Sequence, residues 1–305
     1  MKDITRRTFI LNTALAAGSL AFSSFDMKNV GPSLSFSTLG CPDWPFKKIV
    51  DFAVQHSYQG LEIRGLLRQM DLPKCPEFST AQSRKETMTL MRNNGLHFVG
   101  LGSSATLHFA AGAVRQKNLD EGKRFIELAE QIGCPYVRVF PNNFPKDQSK
   151  ETTLDLIANG VLELAGYAKG SKVTVLMETH GELVRTDDLL TIMNAAQHQH
   201  SGLVWDIANM WMVTGERPEI VYKKLKKFIK HIHIKDANII DGKPAFTLLG
   251  KGEVPIFTGI DELIKGNYKG YYSFEWEKMW HPEIEEPEIA LAHFPLAFHK
   301  HLKKN

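Results

Sequence analysis

Glu178 in TVLMETHG, Asp206 in GLVWDIAN, His233 in HIHIKDAN and Glu275 in YYSFEWEK each put one metal-ligating side chain into a short apolar run. Three carboxylates and an imidazole form a hard, oxygen-rich donor set. It suits Mn²⁺ or Mg²⁺ better than a thiolate-seeking ion, and Co²⁺ or Zn²⁺ can also occupy it. One divalent metal ion, Mn²⁺ ahead of the others, is the expected cofactor. Charge argues the same way. Two like charges about 4 Å apart repel by about 4 kcal/mol at an effective dielectric near 20, so three converging carboxylates raise one another's pKa values unless a cation sits among them. The chemistry open to such a site is that of a carbon acid. A bound cation polarises a carbonyl and stabilises an enediolate, while one carboxylate removes the adjacent proton and another returns it.

A lone acid in a strand is usually a salt-bridge partner; four at matching places need an architectural cause. The intervals between the four residues are 28, 27 and 42 positions. A strand, its helix and two short loops take roughly 25–40 residues, so each interval is about one βα unit. One ligand at the same level of successive units describes the C-terminal rim of a parallel barrel. The pattern predicts strands at Ser33–Leu39, Gly60–Arg64, Leu96–Leu101, Tyr136–Phe140, Val173–Thr179, Leu203–Ile207, His231–Lys235 and Tyr271–Trp276. Helices are predicted at Pro45–His56, Thr80–Asn94, Leu119–Ile132, Lys150–Ala168, Asp187–Gln197, Pro218–Ile229, Phe257–Lys265 and Pro287–Leu302. Alternation of this kind implies a parallel sheet with helical cover. Eight repeats imply closure, giving an α/β chain with one (β/α)8 TIM barrel over residues 31–305. No glycine-rich phosphate loop follows the first strand. Spacing leaves one choice open: His231 shares a strand face with His233, and Glu277 shares one with Glu275.

The motifs GLEIRG, METHG, WDIAN, HIHIKD, LGKGEVP and SFEWEK, spread over nearly the whole chain after about residue 32, are similar to those of the sugar phosphate isomerase/epimerase superfamily, the xylose isomerase-like TIM barrels. That group includes ketose 3-epimerases, inosose dehydratase and a divergent endonuclease branch. The resemblance implies Glu178, Asp206, His233 and Glu275 as metal ligands, with Glu178 and Glu275 as the proton-transferring, catalytic pair. It implies an isomerase or epimerase acting on a sugar or keto-sugar. One enediolate also serves dehydration or β-elimination from a 3-keto-glycoside, so a lyase is the alternative, and a non-catalytic sugar-binding barrel a further one. Two departures stand out. The epimerases often carry a His three residues after the sixth-strand Asp, where this chain has Asn209, and their Arg after the seventh strand has no counterpart in Ala237 to Ile240. These differences point away from a free ketohexose.

Glu62, His180, Asn209, Lys235 and Lys251 are the candidate substrate contacts. Four of the five have a plainer alternative: structural pairing for Glu62 and His180, a salt bridge to Glu178 or Asp206 for Lys235, an exposed loop position for Lys251. Arg138 can point inward or serve as a structural partner. Trp211, Met212, Trp276, Met279 and Trp280 follow ligand strands and offer either a stacking wall for a sugar ring or loop packing.

Thr5-Arg6-Arg7-Thr8-Phe9-Ile10-Leu11, followed by an Ala-rich apolar stretch to Phe22, reads as a twin-arginine export signal over residues 1–30. A periplasmic enzyme is then expected, membrane-anchored if the signal is retained, with an unphosphorylated small sugar as its partner. The stretch is too short for a standard bilayer helix, which needs roughly 20 apolar residues. The 37 basic and 34 acidic side chains are too balanced for a nucleic-acid surface, and the endonuclease branch's surplus of strand-end histidines is missing. Cys41, Cys75 and Cys134 lack a disulfide framework and read as small buried hydrophobes. Oligomeric state leaves no sign in the sequence.

Overall fold

Runs such as LSFS, GLEI, TVLME and SGLVWD are buried on both faces, which only a sheet covered on both sides accommodates. A computed structural model describes residues 31–304, and the chain from Ser33 onward forms one compact unit. The expected export signal lies outside the described residues. Eight strands, β1 (Leu34–Ser37), β2 (Gly60–Ile63), β3 (His97–Thr106), β4 (Tyr136–Phe140), β5 (Thr174–Glu178), β6 (Ser201–Asp206), β7 (Ile229–Ile234) and β10 (Tyr272–Phe274), close into a barrel in the order β1-β10-β7-β6-β5-β4-β3-β2. Every neighbouring pair is parallel. The expected (β/α)8 TIM barrel is the fold.

Helices α1 (Phe46–Gln55), α2 (Ala81–Asn93), α3 (Ala113–Ile132), α4 (Lys150–Tyr167), α5 (Thr186–Ala195), α6 (Ile207–Thr214), α7 (Pro218–Leu225), α8 (Ile256–Lys265) and α9 (Pro287–Leu302) accompany the strands. In α1, Phe46, Ile49, Val50 and Ala53 are buried; their spacing is that of one helical face. Thr80 caps α2 with a reciprocal Thr80–Ser83 box, and α3 stops at Gly133 with φ 70°. Among the described residues no helix is long and apolar enough to cross a membrane. All three cysteines are free and buried.

Pro295 lies inside α9. It has no N–H to give the carbonyl four residues back, which is that of Leu291. The Tyr58 hydroxyl donates to Leu291 O at 2.6 Å and fills the gap. Tyr58→Phe keeps the ring stack on Phe294 but orphans that buried carbonyl. Thermal or urea unfolding should show a loss of about 1–3 kcal/mol.

Four sequence expectations need correction. β3 runs on to Thr106 past the expected end at Leu101, and α3 begins at Ala113, a turn and a half before Leu119. The helix expected over Pro218–Ile229 ends at Leu225, because β7 already begins at Ile229. The stretch between His231–Lys235 and Phe257–Lys265, where no strand or helix is predicted, forms a hairpin of β8 (Asp236–Ile240) and β9 (Lys243–Thr247). Asp241 and Gly242 join the two with φ of 52° and 74°, as a two-residue type I′ turn requires.

Candidate metal centre and active site

Glu178 and Asp206 are the last residues of β5 and β6. His233 lies one residue before the end of β7, and Glu275 follows β10 directly. The parallel register sets these positions side by side: Asp206 pairs with His233 and Glu178 with Val204. All four are buried, and one ligand atom from each lies within 4.8 Å of the other three. The four candidates thus converge on a common centre at the C-terminal mouth of the barrel.

Each side chain is held by a local device. Asp206 is the N-cap of α6: its Oδ1 accepts from Asn209 N at 2.8 Å. That bond turns Oδ2 toward the cluster. Thr179 stitches the β5 and β6 ends, accepting from Asp206 N at 2.9 Å through Oγ1. His233 presents its two ring nitrogens to different partners. Nε2 sits 3.0 Å from Glu62 Oε1, and Nδ1 lies 3.3 Å from both Glu178 Oε1 and Glu275 Oε1 and 3.9 Å from Asp206 Oδ2. A carboxylate on one nitrogen fixes the tautomer and aims the lone pair of the other. His231 lies outside this group of four and forms a second cluster of close ligand atoms with Glu62 and His233. Its Nε2 donates to Glu62 Oε2 at 2.8 Å, below the cluster. Of the two pairs that spacing left open, His233 and Glu275 are the members that join the group of four.

The protein's own atoms offer this centre to a cation. Glu178 Oε2 and Asp206 Oδ2 are buried oxygens with no hydrogen bond, although Arg138 Nε and Lys235 Nζ come within 3.0 and 2.8 Å of them. Those contacts are ionic and poorly aligned, so oxygen lone pairs remain free. Burial pushes the Asp206 carboxyl up to about 7 despite Lys235 beside it. Burial lowers the His233 pKa, but the charges of Glu275, Glu62 and Glu178 outweigh it and carry the ring well above its ordinary range. The cluster thus attracts positive charge, and four hard donors fit a divalent ion.

Glu62, expected to touch substrate, faces the histidines instead. Its oxygens are shared by His231, His233 and Ser273 Oγ. It supports a ligand from behind, and Glu62→Gln should weaken Mn²⁺ binding by about 10–100-fold, read by calorimetric titration. Asn209 also departs from expectation: Nδ2 donates to Thr179 O at 3.3 Å, so its amide braces the loop. Lys235 takes its ion-paired alternative, with Asp206 and Glu275 each at 2.8 Å and Glu277 closer still. Lys251 is exposed and lines a groove beside α9 with Phe257, His293 and Lys300. The cause is Asp236, whose Oδ2 accepts from Gly250 N and Gly252 N at 2.8 and 3.0 Å. A Cβ on Gly252 would lie 2.2 Å from Asp236 Oδ1, so that glycine serves a close approach rather than loop motion.

His180 does line the cavity above the cluster, with Arg64, Arg138, Phe140, Glu178, Glu275, Glu277 and Trp280. The cavity is about 70 Å³. His180 Nδ1 is 2.9 Å from Asn142 Oδ1, and burial lowers its pKa. Of the five aromatic and Met candidates for a wall, Trp280 alone lines it; Trp276 is buried against Phe274 and donates through Nε1 to Glu285 O. Sequence reasoning missed Arg64. Its signal was a charge at the end of the apolar run GLEI, at the level where the other strands carry ligands.

A family profile described as the xylose isomerase-like TIM barrel matches residues 50–294. An inosose dehydratase from Bacillus cereus (strain AH820) is 26% identical over 194 residues, which cover 56% of this chain and 63% of that protein. An inosose dehydratase from Clostridium botulinum (strain Alaska E43 / Type E3) is 26% identical over 154 residues, covering 45% of this chain and 51% of its own length. The chain thus spans about half to three-fifths of the length of these curated relatives. Among solved structures, an IOLI protein with a binding zinc atom superposes with a TM-score of 0.74 at 17% identity, covering 89% of this chain and 98% of the other. D-psicose 3-epimerase with D-tagatose from Clostridium cellulolyticum H10 gives 0.70 at 13% identity with the same coverage. By the family profile, matched over most of its length, and by its closed barrel, the chain belongs to the xylose isomerase-like TIM barrel family.

Proposed function

We propose that the protein is a divalent-metal-dependent isomerase or epimerase of a sugar or keto-sugar. It would remove and redeliver a proton on the carbon beside a carbonyl, through an enediolate. One observation carries this reading: Glu178, Asp206, His233 and Glu275 bring ligand atoms within 4.8 Å of one another beside an open cavity. Held by these four residues, a divalent ion would supply Lewis-acid polarisation of the carbonyl. Glu178 and Glu275 both line the cavity, and they are the pair that takes and returns the proton. Arg138 beside Glu178 and Lys235 beside Glu275 hold the two carboxylates in place. Burial alone would raise the Glu178 and Glu275 pKa values. Arg138 and His233 outweigh it for Glu178, and His233 and Lys235 for Glu275, so both stay below the usual carboxylate range. Both are therefore ionised and ready to accept a proton at neutral pH.

A lyase reading rests on the same site and is supported by the inosose dehydratase relatives. In that reading the carbanion expels a neighbouring hydroxyl or glycosidic oxygen instead of being reprotonated. Incubation of the Mn²⁺-loaded protein with a panel of keto-sugars in D₂O separates the two. Deuterium at the carbon beside the carbonyl with no loss of water or aglycone supports the epimerase; stoichiometric elimination supports the lyase. Absence of exchange and of elimination across the panel sinks both.

Export through the twin-arginine route remains part of the proposal, on residues 1–30 of the sequence. It supports an unphosphorylated substrate met outside the cytoplasm. Cell fractionation tests it: intact protein in the cytoplasm alone, unaffected by replacing Arg6 and Arg7 with Lys, would remove its basis.

A further inference from the structure

We propose that Arg64 and Arg138 form an oxyanion-recognition site in the cavity, so that the substrate carries an anionic group beyond the carbon that loses its proton: a carboxylate where the export reading holds, a phosphate where it fails. This rests on the carbon-acid reading above and names the substrate class for the same site.

The two guanidinium groups line the cavity from β2 and β4, each almost wholly buried at 6% and 4% exposure. They flank Gly102 of β3. A Cβ there would lie 2.5 Å from Arg64 Cδ and 2.9 Å from Arg138 Nη2, so the missing side chain is what lets two like charges share this corner. Arg64 spends its donors on neutral groups, Gly102 O at 3.4 Å and Ser104 Oγ at 3.1 Å. Among the described residues, no carboxylate comes within 4.0 Å of it. Burial, and then the charge of Arg138, push its pKa down; an arginine stays protonated at neutral pH all the same.

Arg138 has one acidic neighbour, Glu178, at 3.0 Å, and lies over the Phe140 ring at 3.7 Å. Glu178 is shared with His233 and belongs to the metal cluster. Glu178, Glu275 and Glu121 favour the charged form of Arg64 from a distance, but none of them pairs with it directly. Glu275 and Glu277 face the same cavity but are engaged by Lys235. A sugar hydroxyl could accept from Arg64 but would leave its charge without a paired anion in a buried place. A carboxylate or phosphate matches the planar, forked donors and neutralises them.

The test uses the Mn²⁺-loaded full chain and three probes of one scaffold: D-fructose, D-fructuronate and D-fructose 6-phosphate. Calorimetric Kd values for at least one anionic probe should be tighter than for D-fructose by on the order of tenfold, the gain of one charge-assisted contact. The preference should weaken as salt is raised. Which anion wins identifies carboxylate or phosphate as the group. In Arg64→Gln, folded and saturated with Mn²⁺, the preference should shrink to within about threefold. Arg64→Lys, which keeps the charge, should retain part of it. Equal binding of all three probes, no binding of either anion, or a preference that survives Arg64→Gln overturns the inference. Deuterium exchange is read separately. Anion preference without exchange removes the carbon-acid reading and keeps the recognition site; exchange without preference does the reverse.

Discussion

Glu275→Gln should lower turnover by at least about 10³-fold, the upper range of what one positioned acid–base group contributes, while the barrel stays folded. The substitution preserves shape and removes the ability to accept a proton. Glu275 Oε1 lies 3.3 Å from His233 Nδ1 and Oε2 lies 2.8 Å from Lys235 Nζ, so the carboxamide loses two charged contacts as well as a base. Mn²⁺ affinity must therefore be measured beside kcat. If saturating Mn²⁺ leaves the variant loaded yet inactive, the defect is in proton transfer. Glu277→Gln is the matching control. Glu277 lines the cavity but touches Lys235 rather than the ligand centre, and its loss should cost tenfold or less, about one weak contact's worth. Full activity in Glu275→Gln would reassign the base.

The ligand centre was legible in the sequence because a parallel barrel brings equivalent strand ends together whatever fills the loops. Four chemically matched residues at βα intervals needed only that rule to predict their meeting. The supporting residues were not legible for the same reason in reverse. Whether Glu62 faces the cavity or the histidines depends on the tilt and stagger of β2 against β7 and β10, and no interval in the chain encodes that. The bracing role of Asn209 was not legible because its backbone cap on Asp206 and its bond to Thr179 O arise from the short α6, which has too few turns for a clear period. The β8–β9 hairpin did leave a mark: the Asp241-Gly242 pair, a turn signal that needs flanking strands to be recognised. Lys251 lies between Gly250 and Gly252, a pattern with two readings. Mobility and tight anchoring both call for glycine, and only the two bonds to Asp236 tell them apart.

Lys235→Met should reveal how far this centre depends on positive charge for its stability. Lys235 is 1% exposed and in contact with Asp206, Glu275 and Glu277. Burial by itself would depress its pKa, yet Asp206 and Glu275 outweigh that and hold it well above the ordinary lysine range. Removing one member of a buried ionic group leaves its partners uncompensated, at a cost of about 3–5 kcal/mol. Methionine keeps most of the volume, so packing loss adds little. That destabilisation should appear in full when the protein is unfolded by urea in the presence of a chelator. With Mn²⁺ present it should be smaller, because the ligand carboxylates then retain a cationic partner, and binding to the folded state alone adds stability by mass action. The variant should also bind Mn²⁺ more tightly than the parent, since a neighbouring positive charge has been removed. Equal destabilisation with and without Mn²⁺, together with unchanged affinity, would mean that Lys235 and the ion do not act on the same carboxylates. The four-residue centre would then have to be redrawn around Glu178 and His233.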